Sequence, residues 1–283
     1  MEIKKLKEFK RRNILLFSGS ARHKSNCPGQ DSKTMKMIKE LDIPNDFDFE
    51  IIDLSIRDDN PIIQPCKGCI STAGGAQCNF PCNCYTKNNK EKPDYMHDKD
   101  IYNKLKKCDA FIVFAPINWW NVPTQVKSMF DRLVCASLTM TVKQAIEIFG
   151  KDGVKDISKT KKFSQTKEYQ EIVKNHLEGK IGSFFIHGDD GADDYKNRKF
   201  PKSYKKYDIG NFNEPKNAIL PIVWQCRYMG IDIPDELITA FYMNEDISYS
   251  EANDKLKDGK INFFKKRANN LIYDTCEYVR KNK

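Results

Sequence analysis

Residues 14–34 read ILLFSGSARHKSNCPGQDSKT. An apolar run ends in a loop rich in hydroxyl and basic side chains, and that loop opens a helix. The sequence predicts a first parallel strand whose carboxyl end holds a phosphate. A helix leaves its first N–H groups without internal partners and carries partial positive charge at that end. Ser18, Ser20, Ser32 and Thr34 offer hydroxyl donors to phosphate oxygens, and Arg22 and Lys33 add charge. The loop is neither G-x-G-x-x-G nor G-x-x-x-x-G-K-[ST], which weakens the dinucleotide and nucleoside-triphosphate readings. An ordinary strand-to-helix turn with Ser32 as its N-cap is the plainer alternative.

Residues 109–132, DAFIVFAPINWWNVPTQVKSMFDR, strengthen the phosphate reading. Ala110 to Ala115 is an unbroken apolar run, as in a central strand covered on both faces. Pro116 stops it, and a short loop presents Ile117, Asn118, Trp119 and Trp120. Pro123 stands near the start of the next helix, where its missing N–H is harmless. Two adjacent indoles at a strand end predict at least one ring beside a planar ligand; a packed corner is the alternative. A third loop follows in residues 181–191, IGSFFIHGDDG, where an apolar strand runs into His187, Gly188, Asp189, Asp190 and Gly191. Glycines around polar residues suit close backbone approach to a ring edge, and equally an Asp/Gly turn.

In this order the loops resemble those of the flavodoxin-like NAD(P)H-dependent FMN reductase superfamily. The resemblance rests on Gly19, Ser20 and Arg22, then Ala115, Pro116, Trp119 and Trp120, then Val126, Lys127, Asp131 and Arg132. These span roughly residues 12–135, with a weaker anchor near His187. It implies FMN at the strand carboxyl ends, phosphate in the first loop, isoalloxazine against the second, and the loop after His187 along the ring. It implies NAD(P)H as co-substrate and a homodimer or homotetramer. The first loop carries an insertion, so Ser32, Lys33 and Thr34 stand where the family often has Gly-Asn-Thr. Which of Ser25, Asn26 and Ser32 meets the phosphate stays open. As an acid or base, His187 is a weak candidate, because flavin accepts hydride without a protein acid.

The 283-residue chain is long for one flavodoxin-like domain, which predicts a single domain over 1–283 with inserted loops. Strands are predicted near 12–18, 49–54, 109–115, 181–187 and 237–242, and helices near 32–42, 98–107, 122–136, 212–229 and 261–281. Their alternation argues for an α/β sheet with parallel strands, and the resemblance implies the doubly wound form. The five-stranded parallel order 2-1-3-4-5 follows from the resemblance. The insertions are a cysteine-rich stretch, 56–97, and a charged stretch, 137–178, with helical content expected near 140–149 and 165–177. No run reaches membrane-spanning length, and MEIKKLKEFKRR lacks a signal peptide's apolar core, so the expectation is a cytoplasmic protein with no membrane partner. The net charge of +9 comes mostly from dispersed lysines; only nine of the 48 basic residues are Arg. This argues against nucleic acid and favours anionic small substrates.

Five of the ten cysteines lie between 66 and 84: Cys66, Cys69, Cys78, Cys82 and Cys84. In a cytosolic chain such density predicts a metal or redox site rather than structural disulfides. Four of the five would hold zinc or an iron–sulfur cluster, Cys66 and Cys69 offering two sulfurs from one turn. Iron–sulfur flavoproteins of the superfamily have a third cysteine where this chain has Thr72. Free thiols packing a loop near the flavin are the alternative, and Cys27, Cys108, Cys135, Cys226 and Cys276 read as buried apolar groups. Three functions follow in order: an FMN-dependent oxidoreductase passing hydride from NAD(P)H to a quinone, free flavin, nitro compound or metal ion; an iron–sulfur flavoprotein taking electrons from a protein donor; and a non-catalytic binding protein with structural zinc.

Overall fold

The computed structural model describes residues 11–26, 29, 31–189, 215–243 and 260–283. Strands β1 (Arg12–Ser18), β2 (Phe47–Asp53), β3 (Ala110–Pro116), β4 (Ile181–Asp189) and β5 (Ile238–Met243) form one parallel sheet, ordered β2-β1-β3-β4-β5. This is the flavodoxin-like topology, and each strand falls within two residues of its predicted span. Ile14 to Phe17 are wholly buried because both faces of β1 are covered. Ile14 and Leu16 pack with α1 (Lys33–Lys39) and α10 (Lys260–Asn282). Leu15 and Phe17 point the other way, toward α4 (Ile101–Lys107), α5 (Thr124–Arg132) and α9 (Leu220–Tyr228). That alternation is the period of two of a strand, here apolar on both faces. The order reverses between β1 and β3, and a crevice forms at such a point beyond the strand ends.

The helix expected over 98–107 is divided. A short α3 (Tyr95–Asp98) ends before Asp100, whose left-handed backbone (φ 55°) breaks the run before α4. The 122–136 helix likewise ends as α5, with a 3-10 turn over Leu133–Ala136. Of the helix expected over 212–229, residues 212–214 lie outside the described residues, and α9 follows a 3-10 turn at Pro215–Ala218. Cys108, Cys135, Cys226 and Cys276 are fully buried, as their reading as apolar groups requires; Cys27 lies outside the described residues.

The two excursions fold on each other. The first contributes α2 (Cys69–Ala73); the second contributes α6 (Val142–Gly153), α7 (Ile157–Phe163) and α8 (Lys167–Ile172). Phe80 N–H donates to Met140 O at 2.9 Å, and Val142 N–H donates to Phe80 O at 3.1 Å. Ala76, Met140, Ala145 and Tyr169 form a small shared core. A side chain at Gly75 would collide with the Tyr169 hydroxyl, so the Gly74-Gly75 bend permits this close approach. Sequence reading missed α7, a lysine-rich segment whose start is capped by Asp156 accepting from Lys159 N–H at 3.1 Å.

Candidate functional site

A cavity of about 560 Å³ opens at the carboxyl ends of β1, β3 and β4. That is a volume typical of small-molecule sites. Its first wall carries Ser20, Arg22, Ser32, Lys33 and Thr34; its second carries Pro116, Ile117 and Asn118; His187 and Gly188 complete it.

The first wall is held from beneath. Gly19 N–H donates to Phe114 O at 2.7 Å, which joins the loop to β3. A Cβ at Gly19 would stand 2.5 Å from Val126 Cγ2 and 2.9 Å from Ala115 Cβ, so only glycine lets the loop lie this close to α5. Ser20 Oγ accepts the Arg22 N–H at 3.3 Å, which leaves the hydroxyl proton available to a ligand. Asn26 acts as a staple: its amide donates to Ala21 O at 2.9 Å and Ile56 O at 2.7 Å, and its oxygen accepts from His23 N–H at 3.0 Å. Ser25 pairs with His23 Nδ1 at 2.8 Å on the exposed side and does not line the cavity. Ser32 serves both of its readings: it caps α1, accepting from Met35 N–H at 3.0 Å, and it lines the cavity. Ser18 departs from expectation. It is fully buried in β1, its hydroxyl has no partner among the described residues, and it does not line the cavity. As the last residue of a strand covered on both faces, it lies beneath the loop rather than in it.

The second wall is backbone and small side chains rather than indole. Ile117 N–H donates to His187 O at 2.6 Å, joining the β3 loop to β4. Asn118 and Asn121 exchange backbone hydrogen bonds of 2.7 and 3.0 Å around Trp119 (φ 50°) and Trp120 (φ 59°). Positive φ at both central residues is the signature of a type I′ turn, which normally selects Asn and Gly. This strained turn carries the indoles past the wall: Trp119 is 88 % exposed, neither ring lines the cavity, and the two meet edge to face at 6.1 Å. The lining on this side is therefore Pro116, Ile117 and Asn118, with both indoles beyond it.

His187 is buried between Phe185 and Phe264, and its Nε2 lies 2.9 Å from the buried Thr34 Oγ1. Burial, with a smaller push from Lys33, lowers its pKa to about 3. The ring is neutral at physiological pH, so it cannot serve as a cationic acid; it fixes the Thr34 hydroxyl instead. Asp189 ends β4, and Gly191 lies outside the described residues.

The cysteine segment is anchored by a pair that sequence reading did not connect. Arg132, at the end of α5, grips Asp94 with two hydrogen bonds of 3.0 and 3.1 Å and donates to Gln64 O at 3.0 Å. Both charged side chains are fully buried, and the guanidinium stacks 4.4 Å from the Tyr85 ring centroid. The only sequence signal was Arg132 itself, the last residue of the family-like helix.

Within this frame Cys69 Sγ and Cys84 Sγ lie 2.9 Å apart, and both residues are half-buried. Cys66 Sγ accepts from Gly68 N–H at 3.4 Å within its own turn. Burial pushes the Cys78 thiol up to about 12, whereas a hydrogen bond from Cys84, helped by Arg132, holds Cys82 down at about 5. At 2.9 Å the Cys69–Cys84 pair does not fit two ligands of one metal centre. Thiolates bound at about 2.3 Å around a tetrahedral zinc stand roughly 3.8 Å apart, and farther apart around an iron–sulfur cluster. Among the described residues no group of three or more His, Cys, Asp or Glu stands in metal-holding geometry. Cys69 and Cys84 instead line a second cavity of about 310 Å³, with Lys151 and Lys155.

The fold and the first cavity define a flavodoxin-like protein with a polar site at its topological switch point. Residues 12–151, a stretch that contains both loop walls, match the family described as NADPH-dependent FMN reductase. The iron-sulfur flavoprotein of Methanosarcina thermophila is 30% identical over 117 residues, 41% of this chain and 50% of that protein. The chain thus spans half the length of this relative. Among solved structures, RosB with a bound demethyl-formylriboflavin-phosphate intermediate aligns over 95% of this chain and 79% of its own, with 9% identity and a TM-score of 0.47. General stress protein 14 of Treponema denticola in complex with FMN aligns over 96% and 99%, with 11% identity and a TM-score of 0.39. No helix among the described residues is long and apolar enough to cross a membrane.

Proposed function

We propose that the chain is an FMN-dependent oxidoreductase that takes hydride from NAD(P)H and reduces a small acceptor. The observation that carries this reading is the first wall: three hydroxyls and two basic side chains around one cavity, inside the region that matches the FMN reductase family. That donor set fits a phosphate dianion. Ser20 and Thr34 can donate hydroxyl hydrogen bonds, and Arg22 and Lys33 offset the charge. Bound FMN would supply the two-electron chemistry, accepting hydride and delivering electrons to the acceptor. The protein's part is to hold and orient. Asn26 fixes the loop's shape, neutral His187 holds the Thr34 hydroxyl in place, and the bond from Ile117 to His187 O keeps the second wall against the third. The net charge of +9 draws anionic pyridine nucleotides toward the open side. Alternate access of nucleotide and acceptor to one cavity predicts ping-pong kinetics.

The test is anaerobic addition of NADPH or NADH to protein reconstituted with FMN. The reading expects loss of the yellow flavin band and its return when a quinone is added. A band that neither nucleotide bleaches would overturn it in favour of a protein electron donor.

A further inference from the structure

We infer that Cys69 and Cys84 form a redox-active dithiol that exchanges with small anionic disulfides in the second cavity. Three observations meet here. The two sulfurs are 2.9 Å apart although the residues are fifteen positions apart in sequence. Both residues are half-buried and line the same 310 Å³ cavity, whereas the neighbouring Cys78 and Cys82 are buried and do not line it. No carboxylate stands among the described residues lining this cavity, while Lys151 and Lys155 do, and Lys67 Nζ donates to Cys84 O at 3.4 Å. The cavity therefore presents two thiols in a positive field with side-chain amides from Gln77, Asn79 and Asn83, which suits a ligand bearing carboxylates and a reducible sulfur–sulfur bond.

The frame around the pair is already fixed. Arg132, Asp94 and Gln64 hold one side of the segment, and Tyr85 Oη donates to Pro65 O at 2.8 Å on the other. A disulfide needs the sulfurs at about 2.05 Å, so roughly 0.9 Å of approach remains. One cysteine thiolate attacks a sulfur of the small disulfide RSSR; that bond breaks, and the departing RS⁻ takes up a proton to become RSH. The second cysteine then gives up its proton and attacks the protein sulfur of the mixed disulfide, forming the Cys69–Cys84 bond and expelling a second RSH. The protein dithiol loses two electrons and two protons, and RSSR gains both.

The experiment uses the full chain, reduced and desalted without oxygen, with oxidised glutathione as probe. The expected result is loss of two of the ten thiols, no retained glutathione, and a Cys69–Cys84 link in peptide maps, reversed by dithiothreitol. Cys84→Ser should instead retain one glutathione on Cys69. Replacing both Lys151 and Lys155 with Glu should slow the reaction roughly tenfold with oxidised glutathione, but not with uncharged hydroxyethyl disulfide. The mapping needs no variant, so a misfolded mutant does not blunt the test. A link mapped to another pair, thiols that stay unreacted, or one zinc or iron per chain protecting these cysteines would each overturn the inference.

Discussion

The cavity at the ends of β1, β3 and β4 and the cavity beside the cysteines differ in how the chain assembles them. In the first, the lining residues lie close in sequence to a strand end or to the start of α1, and the parallel sheet brings those ends together. In the second, a loop after β2 meets a helix inserted after α5, and a buried ion pair from the sheet-covering layer holds them in register. A site of the first kind inherits its geometry from the sheet. One of the second kind depends on contacts that no local pattern specifies. The first should therefore tolerate disruption of the excursions beyond Ile56, and the second should not.

The sharpest way to break this difference is Asp94→Asn. It leaves Arg132 as an uncompensated buried charge, and the expected loss is about 3–5 kcal/mol in urea unfolding. Limited proteolysis should open the 56–97 stretch first. A loss of under about 1 kcal/mol, the size of a surface pair, would show that the excursion is not held from α5. Next in size is Gly19→Ala, whose Cβ must displace Val126 and Ala115; the expected loss is about 1–3 kcal/mol, together with weaker FMN binding. Unchanged stability would mean that the loop does not need its close approach to α5.

The His187 ring gives a pH-dependent test of the first cavity. Its folded pKa of about 3 lies below the ordinary value of 6.5, so its contribution is fully present above pH 6.5. As the pH falls, the unfolded chain binds the proton first, and stability drops until the folded pKa is reached near 3. Between pH 6.5 and 5 this group should account for up to about 2 kcal/mol of lost stability, a slope that His187→Gln removes. An identical slope in the variant would mean that the ring is not held neutral. The smallest expected effect is that of Trp119→Asn. The exposed indole sits beyond the wall, so stability should change by no more than about 0.5 kcal/mol, and FMN affinity by about twofold. A tenfold loss of affinity would place the indole on the ring after all.

All five strands and their order were legible because continuous apolar runs such as Ile14–Phe17 and Ala110–Ala115 carry their own signature, and the resemblance supplied the topology. Ser20, Arg22, Ser32, Lys33 and Thr34 were legible because they flank a strand end and a helix start. That Ser18 stays inside β1 was not legible because residue type alone does not tell the last buried position of a strand from the first exposed one. The position of the two indoles beyond Asn118 was not legible because nothing in NWWN announces a left-handed turn: both occupy a backbone region usually left to Asn and Gly. The Arg132–Asp94 pair and the Cys69–Cys84 contact span 38 and 15 residues. Spacing within CKGC pointed to Cys66 as the partner of Cys69, and only the fold of the loop replaces it with Cys84.

The most direct test of the central claim, that the first wall holds the phosphate of FMN, compares FMN with riboflavin in fluorescence titrations of the wild-type chain, Arg22→Ala and Lys33→Ala. Each substitution should weaken FMN by about one to two decades, the worth of a charge-assisted contact, and leave the weaker riboflavin binding unchanged, because riboflavin has no phosphate to lose. FMN affinity that is the same in both variants as in the wild type, or riboflavin affinity that falls as far as that of FMN, would contradict it.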